Sequence, residues 1–211
     1  MEAWRFGNLV YIVITKHAST SFRSLFRDRL GWTETTHEAI VWNRDKAFAH
    51  IMDPVARHAK GTVEYIAQNN MWDILNDPKF ETLLATACFD IHSYPISAQI
   101  SQLDCYRVDW IMMDHPSISC NELTNKFLAS HGINIGLDQF PQLNTTAGKV
   151  ESNKIAREKA LEKVQELQRA RNVKENLKYI YHKDIQLYDK IKSRTQWAQS
   201  DWKHVSWLNN E

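Results

Sequence analysis

An apolar, largely β-branched stretch at Leu9–Thr15 leads through a hydroxyl-rich turn into an amphipathic helix, and this succession limits the folds that the chain can adopt. Consecutive apolar positions are typical of a strand that is covered on both faces. Phe22–Leu30 carries its apolar residues at helical spacing, and Gly31 can end that helix because glycine readily adopts the left-handed conformation of a C-terminal cap. The chain is therefore predicted to open as strand, turn and helix.

The same succession recurs further along the chain. Ala47–Met52 is predicted to be a strand, with Asp53 as the N-cap and Pro54 in the first turn of a helix that continues to about Ile66. The remaining elements are predicted to be a short strand at Ala39–Trp42, a helix at Pro78–Cys88, a strand at Tyr106–Met113 and a helix at Ser119–His131, in which Ser119 and Glu122 form a capping box. Alternating strands and helices predict an α/β fold with a mainly parallel central sheet flanked by helices.

The 211-residue length predicts a single domain over residues 1–211. Residues 151–176 differ in character, because charged residues dominate and only a thin apolar stripe runs along them. This pattern predicts a solvated helical segment that packs along one edge. A C-terminal helix is predicted at about 177–192.

Composition excludes several classes of protein. The net charge of +1 gives no overall basic field of the kind that attracts nucleic acid. Cys88, Cys105 and Cys120 are odd in number and lack CxxC spacing, which favours free thiols in a reducing compartment and predicts no metal site. No apolar stretch approaches the ~20 residues of a membrane span, and the start does not resemble a secretory leader. We therefore expect a cytoplasmic protein without a membrane span.

The turn after the first predicted strand has the composition of a phosphate-binding site. A helix N-terminus presents unpaired N–H groups and a partial positive charge, to which Lys16 adds a full charge and Ser19–Ser21 add hydroxyl donors. The Walker pattern GxxxxGK[ST] is absent, since no glycine lies between Gly7 and Gly31. An ATPase or GTPase is therefore disfavoured. The alternative is that the hydroxyls only cap the helix.

Two further cations follow the second predicted strand. Arg57 lies one turn into the helix that starts at Pro54, and Lys60 follows three residues later on the same face. Together they could take a second phosphate. The alternative is that they are solvated or form a helix ion pair.

These segments resemble a known family. "TKHASTSF" resembles the 5′-phosphosulfate loop of sulfotransferases that use 3′-phosphoadenosine 5′-phosphosulfate (PAPS), and is most similar to the "PKTASTSF" loop of the heparan sulfate 2-O-sulfotransferase branch. "IMDPVARHAKG" resembles the family's 3′-phosphate segment, "RDPxxRxxSG". "HSYPISAQISQLDCYRVDWIMMD" and "YIYHKDIQLYDKI" are similar to later segments of carbohydrate sulfotransferases, so the resemblance covers most of the chain in the family's order.

The resemblance implies a P-loop NTPase-like three-layer fold and transfer of a sulfuryl group from PAPS to an acceptor hydroxyl of a carbohydrate or small molecule. It implies that Lys16 lies beside the 5′-phosphate and the sulfate, and that Arg57 and Lys60 hold the 3′-phosphate. It further implies two sets of cofactor-binding residues: His17, Ala18, Ser19, Thr20 and Ser21 in the first loop, and Thr145, Thr146 and Lys149 in "LNTTAGK", which is similar to a loop that closes over the cofactor. The alternative for "LNTTAGK" is an ordinary glycine-containing turn.

The chain departs from the family pattern at several positions. Met52 replaces the leading arginine of "RDP", and Lys60 replaces the serine. An acceptor hydroxyl also needs a general base, for which histidine is suited near neutral pH. The resemblance implies His37 as the first candidate, because the related enzymes place a histidine base at about this distance before the "RDP" turn, and His92, which matches a histidine of a later family segment, as the second. His17, inside the first loop, is the third.

Two alternative functions are consistent with the same sequence. One is a P-loop-like kinase that uses ATP, and the other is a catalytically degenerate nucleotide-binding or interaction module, which Met52 favours. Neither the acceptor nor the oligomeric state can be predicted from the sequence.

Overall fold

The computed structural model describes residues 1–15, 17, 19–86, 88–89, 93–100, 107–140 and 151–197, with side chains throughout except at 151–153 and 195–197. The chain groups into two compact units. The first comprises Met1–Met52, Ile100–Leu143 and Tyr188–Glu211, and the second comprises Asp53–Gln99 and Asn144–Leu187.

The first unit contains a mixed sheet, which confirms the α/β class. Within the described residues its five strands are β1 (Glu2–Phe6), β2 (Leu9–Ile12), β3 (Thr33–Thr36), β4 (Lys46–Ile51) and β5 (Val108–Met112). Their order in the sheet is β3-β1-β2-β4-β5. β2 is parallel to β4 and β4 to β5, whereas β1 is antiparallel to both β2 and β3. The predicted parallel arrangement thus holds for the β2-β4-β5 half of the sheet.

The antiparallel half was not predicted from the sequence. A tight hairpin joins β1 to β2, with Gly7 at φ 57° in its two-residue turn, as such turns require. The predicted strand at Ala39–Trp42 is wrong. A 3-10 turn covers His37–Ala39, and the Val41 N–H donates to the Asp45 carboxylate at 2.8 Å, so that this N–H is used locally and not in a sheet.

Eight α-helices lie within the described residues: α1 (Ser19–Ser24), α2 (Pro54–Gln68), α3 (Phe80–Thr86), α4 (Ile96–Gln99), α5 (Cys120–Ser130), α6 (Glu151–Leu167), α7 (Arg171–Ile180) and α8 (His182–Trp197). The predicted caps are confirmed. Asp53 accepts from the Ala56 N–H at 2.8 Å at the start of α2, and Ser119 and Glu122 form the capping box of α5. None of these helices is long and apolar enough to cross a membrane.

The core of the first unit is aromatic on the face of the sheet that α1 and α5 cover. α1 continues as a π-helical segment at Leu25–Arg29, and Gly31, at φ 65°, follows its end as predicted. Tyr11 of β2 lies at the centre, with ring centroids 4.6 Å from Phe26 and 5.3 Å from Phe48. Phe48 in turn lies 4.7 Å from Phe127 of α5. Burial of several large rings in one cluster supplies much of the driving force for this unit.

The second unit is helical, and its core is shared by α2, α3, α6 and α7. α6 buries Ala160 and Val164, and Arg157 forms an ion pair with Glu64 of α2 at 2.5 Å, so α6 packs by one edge as predicted. The charged segment nevertheless divides into two helices, since α6 ends at Leu167 and α7 begins at Arg171. The predicted helix at 177–192 is interrupted at Tyr181.

A half-buried carboxylate on β5 yields a pH-dependent prediction. Burial raises the pKa of Asp109 to about 6, partly opposed by His131 and Lys46, whereas an unfolded aspartate titrates near a pKa of about 3.9. Ionisation therefore destabilises the native state fully above the folded pKa and not at all below the unfolded one. Asp109→Asn should raise the free energy of unfolding by about 1–2 kcal/mol near pH 8, and the gain should vanish towards about pH 4.

Urea unfolding of both proteins across this pH range measures the effect. Asp45→Asn is the matched control with the opposite sign, because the hydrogen bond from Arg5 lowers the pKa of the Asp45 carboxyl. Asp45→Asn should have a lower free energy of unfolding than the wild type near neutral pH, and the difference should shrink in acid. A gain from Asp109→Asn that is independent of pH would contradict the assignment.

Candidate functional site

The hydroxyl-rich turn leaves the carboxyl end of β2, an inner strand of the sheet. Beyond the strand, Val13 and Ile14 stay buried, and the Val13 N–H donates to the Glu2 carbonyl at 3.1 Å. The pairing with the β1 side therefore extends one residue beyond β2. His17 is buried and its N–H donates to the Ile14 carbonyl at 3.1 Å. Lys16 and Ala18 lie outside the described residues.

The three hydroxyl residues form the first turn of α1. Ser19 and Ser21 are half-buried and Thr20 is exposed. Amides at the start of a helix lack intrahelical acceptors, which makes this turn suited to an oxyanion. A bidentate ion pair ties α1 to the sheet, since Arg23 donates from Nε and Nη2 to the two Glu2 carboxylate oxygens at 2.5 and 2.6 Å.

Parallel pairing determines where the predicted segments leave the sheet. Because β2 and β4 are parallel neighbours, their carboxyl ends lie at the same edge. The turn after Ile12 therefore leaves the sheet at the edge where its parallel neighbour β4 also ends, at Ile51. In doubly wound α/β proteins, ligands bind beyond the carboxyl ends of parallel strands.

His37, the first candidate base, lies at this same edge. β3 and β2 are both antiparallel to β1, so β3 runs in the direction of β2 and delivers His37 to the edge from which the turn departs. β1 is the one strand between them. The His37 side chain is 10% exposed, with Nδ1 2.9 Å from the Met1 amino group and 3.0 Å from Glu38 Oε2. The structure thus brings His37 and the turn to one sheet edge.

The two cations predicted for the 3′-phosphate belong to α2 of the second unit, and they differ sharply in exposure. Lys60 is exposed. Arg57 is fully buried and its guanidinium donates to the Tyr94 carbonyl. Arginine is almost never fully buried unless it is paired, so this side chain has a structural role that the sequence did not reveal.

Two more buried side chains hold the same short segment, Ser93–Ser97. Asp184 of α8 accepts from the N–H groups of Ile96 and Ser97 at 2.5 and 2.9 Å, and thereby caps α4 from a distance. Tyr181 donates its hydroxyl to the Ser93 carbonyl. Both residues belong to "YIYHKDIQLYDKI", which resembles a segment of carbohydrate sulfotransferases. That resemblance did not predict the contact of Tyr181 and Asp184 with Ser93–Ser97.

The segment that these side chains hold follows the second candidate base. His92 itself lies outside the described residues, as do Thr145, Thr146 and Lys149. Cys88, near this cluster, is a free thiol, and burial raises its pKa, which disfavours a reactive thiolate.

Across the part of the chain that the structure describes, no group of three His, Cys, Asp or Glu residues is arranged to hold a metal ion. The chain matches no protein-family model, no curated protein and no solved structure. Function must therefore be argued from the residues and the geometry.

Proposed function

We propose that this protein is a PAPS-dependent sulfotransferase with a P-loop NTPase-like fold, which transfers a sulfuryl group to an acceptor hydroxyl of a carbohydrate or a small molecule. The observation that carries the proposal is the "TKHASTSF" turn, which joins the inner strand β2 to α1 beside the parallel strand β4. This arrangement supports an oxyanion site without the glycines of a Walker loop.

The chemistry asks for positioning and charge stabilisation more than for covalent catalysis. Sulfuryl transfer resembles phosphoryl transfer, in which a loose, in-line transition state places charge on the leaving bridging oxygen. Lys16 would neutralise that charge, and the hydroxyls and amides of Ser19–Ser21 would hold the 5′-phosphate. His37, at the same sheet edge, would accept the proton of the acceptor hydroxyl.

The remaining assignments follow the resemblance. Arg57 and Lys60 would serve the 3′-phosphate, and Thr146 and Lys149 would close over the cofactor. Because Arg57 already holds the Tyr94 carbonyl, the exposed Lys60 is the cation that a variant can remove without disturbing buried structure. Its ammonium group would supply charge in place of the family's serine, with less directional contact.

Titration calorimetry with adenosine 3′,5′-bisphosphate (PAP), adenosine 5′-phosphate and ATP tests the proposal. We expect PAP to bind about 10- to 100-fold more tightly than adenosine 5′-phosphate, because hydrogen bonds to a charged group contribute about 1.5–3 kcal/mol. Lys60→Ala should reduce that advantage and leave the affinity for adenosine 5′-phosphate unchanged.

The other outcomes decide between the alternatives. A preference for ATP over PAP would overturn the sulfotransferase and favour a kinase. Absence of binding by all three nucleotides would overturn both enzymes and favour an interaction module.

A further inference from the structure

A buried histidine that the proposed mechanism does not use lies directly beneath α1. His50 is in β4, one residue before its end, and is fully buried. Its imidazole stacks on the Phe22 ring, with centroids 3.8 Å apart and planes inclined by 22°. This is a closer approach than that of Tyr11 or Phe26, whose rings each lie 6.2 Å from Phe22.

Hydrogen bonds fix the orientation of this ring. The Thr124 hydroxyl donates to the Cys120 carbonyl at 2.7 Å, so it accepts from His50 Nε2 at 2.9 Å. Nε2 therefore carries the proton, and Nδ1 accepts from the Tyr11 hydroxyl at 3.3 Å. Burial lowers the pKa of His50 to about 3, so the imidazole stays neutral near physiological pH and each of its nitrogens has one defined role.

Phe22 anchors the start of α1 in the core. It is the one buried residue of α1 and follows Ser19–Ser21 directly. Even with its π-helical continuation at Leu25–Arg29, α1 is a short helix with little stability of its own, because nucleation costs more than a few hydrogen bonds return. α1 is therefore held by tertiary contacts. These are the ion pair of Arg23 with Glu2, the buried side chains of the π-helical continuation and, nearest to the hydroxyl turn, the stack of Phe22 on His50.

We propose that His50 is a positioning residue for the phosphate-binding turn: its ring stacks on Phe22 and through it holds the amides and hydroxyls of Ser19–Ser21. This inference rests on the proposed function for its consequence in binding. The positioning itself is a property of the unliganded protein and can be measured without a nucleotide.

Three variants separate the stack from the hydrogen bonds. His50→Phe keeps a ring against Phe22 and removes both hydrogen bonds, His50→Asn removes the ring, and Phe22→Leu removes the stack from the other side. Phe127→Leu is the matched control, since it perturbs the same aromatic core away from α1. Hydrogen exchange of the Ser19–Ser24 amides, thermal melting and PAP affinity are measured for all four.

We expect His50→Asn and Phe22→Leu to speed exchange of the Ser19–Ser24 amides about 10-fold or more, as local opening becomes easier. We expect the same two variants to weaken PAP binding by a similar factor. The double variant His50→Asn/Phe22→Leu should exchange and bind PAP much like either single variant, because both substitutions remove the same contact. His50→Phe and Phe127→Leu should lower the melting temperature but change exchange and affinity less than about 3-fold.

Failure of this inference is distinguishable from failure of the proposed function. If His50→Asn leaves exchange in α1 unchanged, or if Phe127→Leu speeds it equally, His50 does not position the turn, whatever the ligand. If exchange responds as expected but the wild type does not bind PAP, the positioning stands and the sulfotransferase assignment falls.

Discussion

Replacing Arg57 with alanine is expected to lower the free energy of unfolding by about 3–4 kcal/mol. The side chain is fully buried and donates to the Tyr94 carbonyl, so the variant loses both packing and a hydrogen bond in which the donor is charged. Urea unfolding followed by circular dichroism measures the change. Lys60→Ala is the matched control, because Lys60 is exposed on the same helix and its loss should change stability by less than about 0.5 kcal/mol.

Because Arg57 is buried, its alanine variant is unsuitable for testing the predicted 3′-phosphate site. Loss of nucleotide binding by Arg57→Ala would not distinguish a lost phosphate contact from a disturbed fold, because the variant removes a fully buried side chain. Lys60→Ala carries that test, with folding intact. A loss of less than about 1 kcal/mol in Arg57→Ala would contradict the structural role that its burial assigns.

Replacing Lys16 with alanine is expected to slow sulfuryl transfer by about 10²- to 10³-fold, the effect of removing one donor from a site of developing negative charge. The rate is measured with labelled PAPS and whichever acceptor, from a panel of glycans and small alcohols, supports turnover by the wild type. The fold should be unaffected, because the turn follows a strand whose pairing is already complete.

Lys16→Arg is the conservative partner of this variant. It keeps the charge and should recover most of the rate if electrostatic stabilisation dominates. An alanine variant that turns over at the wild-type rate would remove Lys16 from the mechanism and leave the resemblance without its principal residue.

Local sequence signals were sufficient to predict an element where a single residue determines a single interaction. Asp53 and the Ser119–Glu122 pair mark helix starts through hydrogen bonds to amides two or three residues away, and such bonds depend on little else. β2 and β4 are apolar on both faces and so stand out as inner strands. β2 places the hydroxyl turn at the end of an inner strand, as predicted, and phosphate binding by that turn stays a prediction.

Contacts between distant segments could not be predicted in this way. β3, "TETT", is a polar edge strand without an apolar pattern, and only its pairing with β1 makes it a strand. Tyr181 interrupts the last helical segment without a glycine or proline, while its hydroxyl bonds to the Ser93 carbonyl. The burial of Arg57 and His50 likewise depends on partners far along the chain. For Arg57 the sequence suggested a phosphate contact, with solvation or a helix ion pair as the alternative, and it gave no indication of a role for His50.

The hairpin was the one missed feature with a usable local signal. Gly7-Asn8 between two strand-like runs is a two-residue turn of the kind that closes antiparallel pairs. The charged residues Glu2 and Arg5 obscured β1, although their side chains are engaged with Arg23 and Asp45.

If the turn after β2 holds a nucleotide phosphate, as we propose, the amides of that turn contact the ligand. Their chemical shifts in a ¹H–¹⁵N spectrum report this contact directly. On titration with PAP, we expect the largest chemical-shift changes at the amides of residues 15–22, and smaller changes with ATP at the same concentrations. If PAP shifts amides elsewhere and leaves those of residues 15–22 unmoved, the turn is not the phosphate site and the proposed sulfotransferase is wrong.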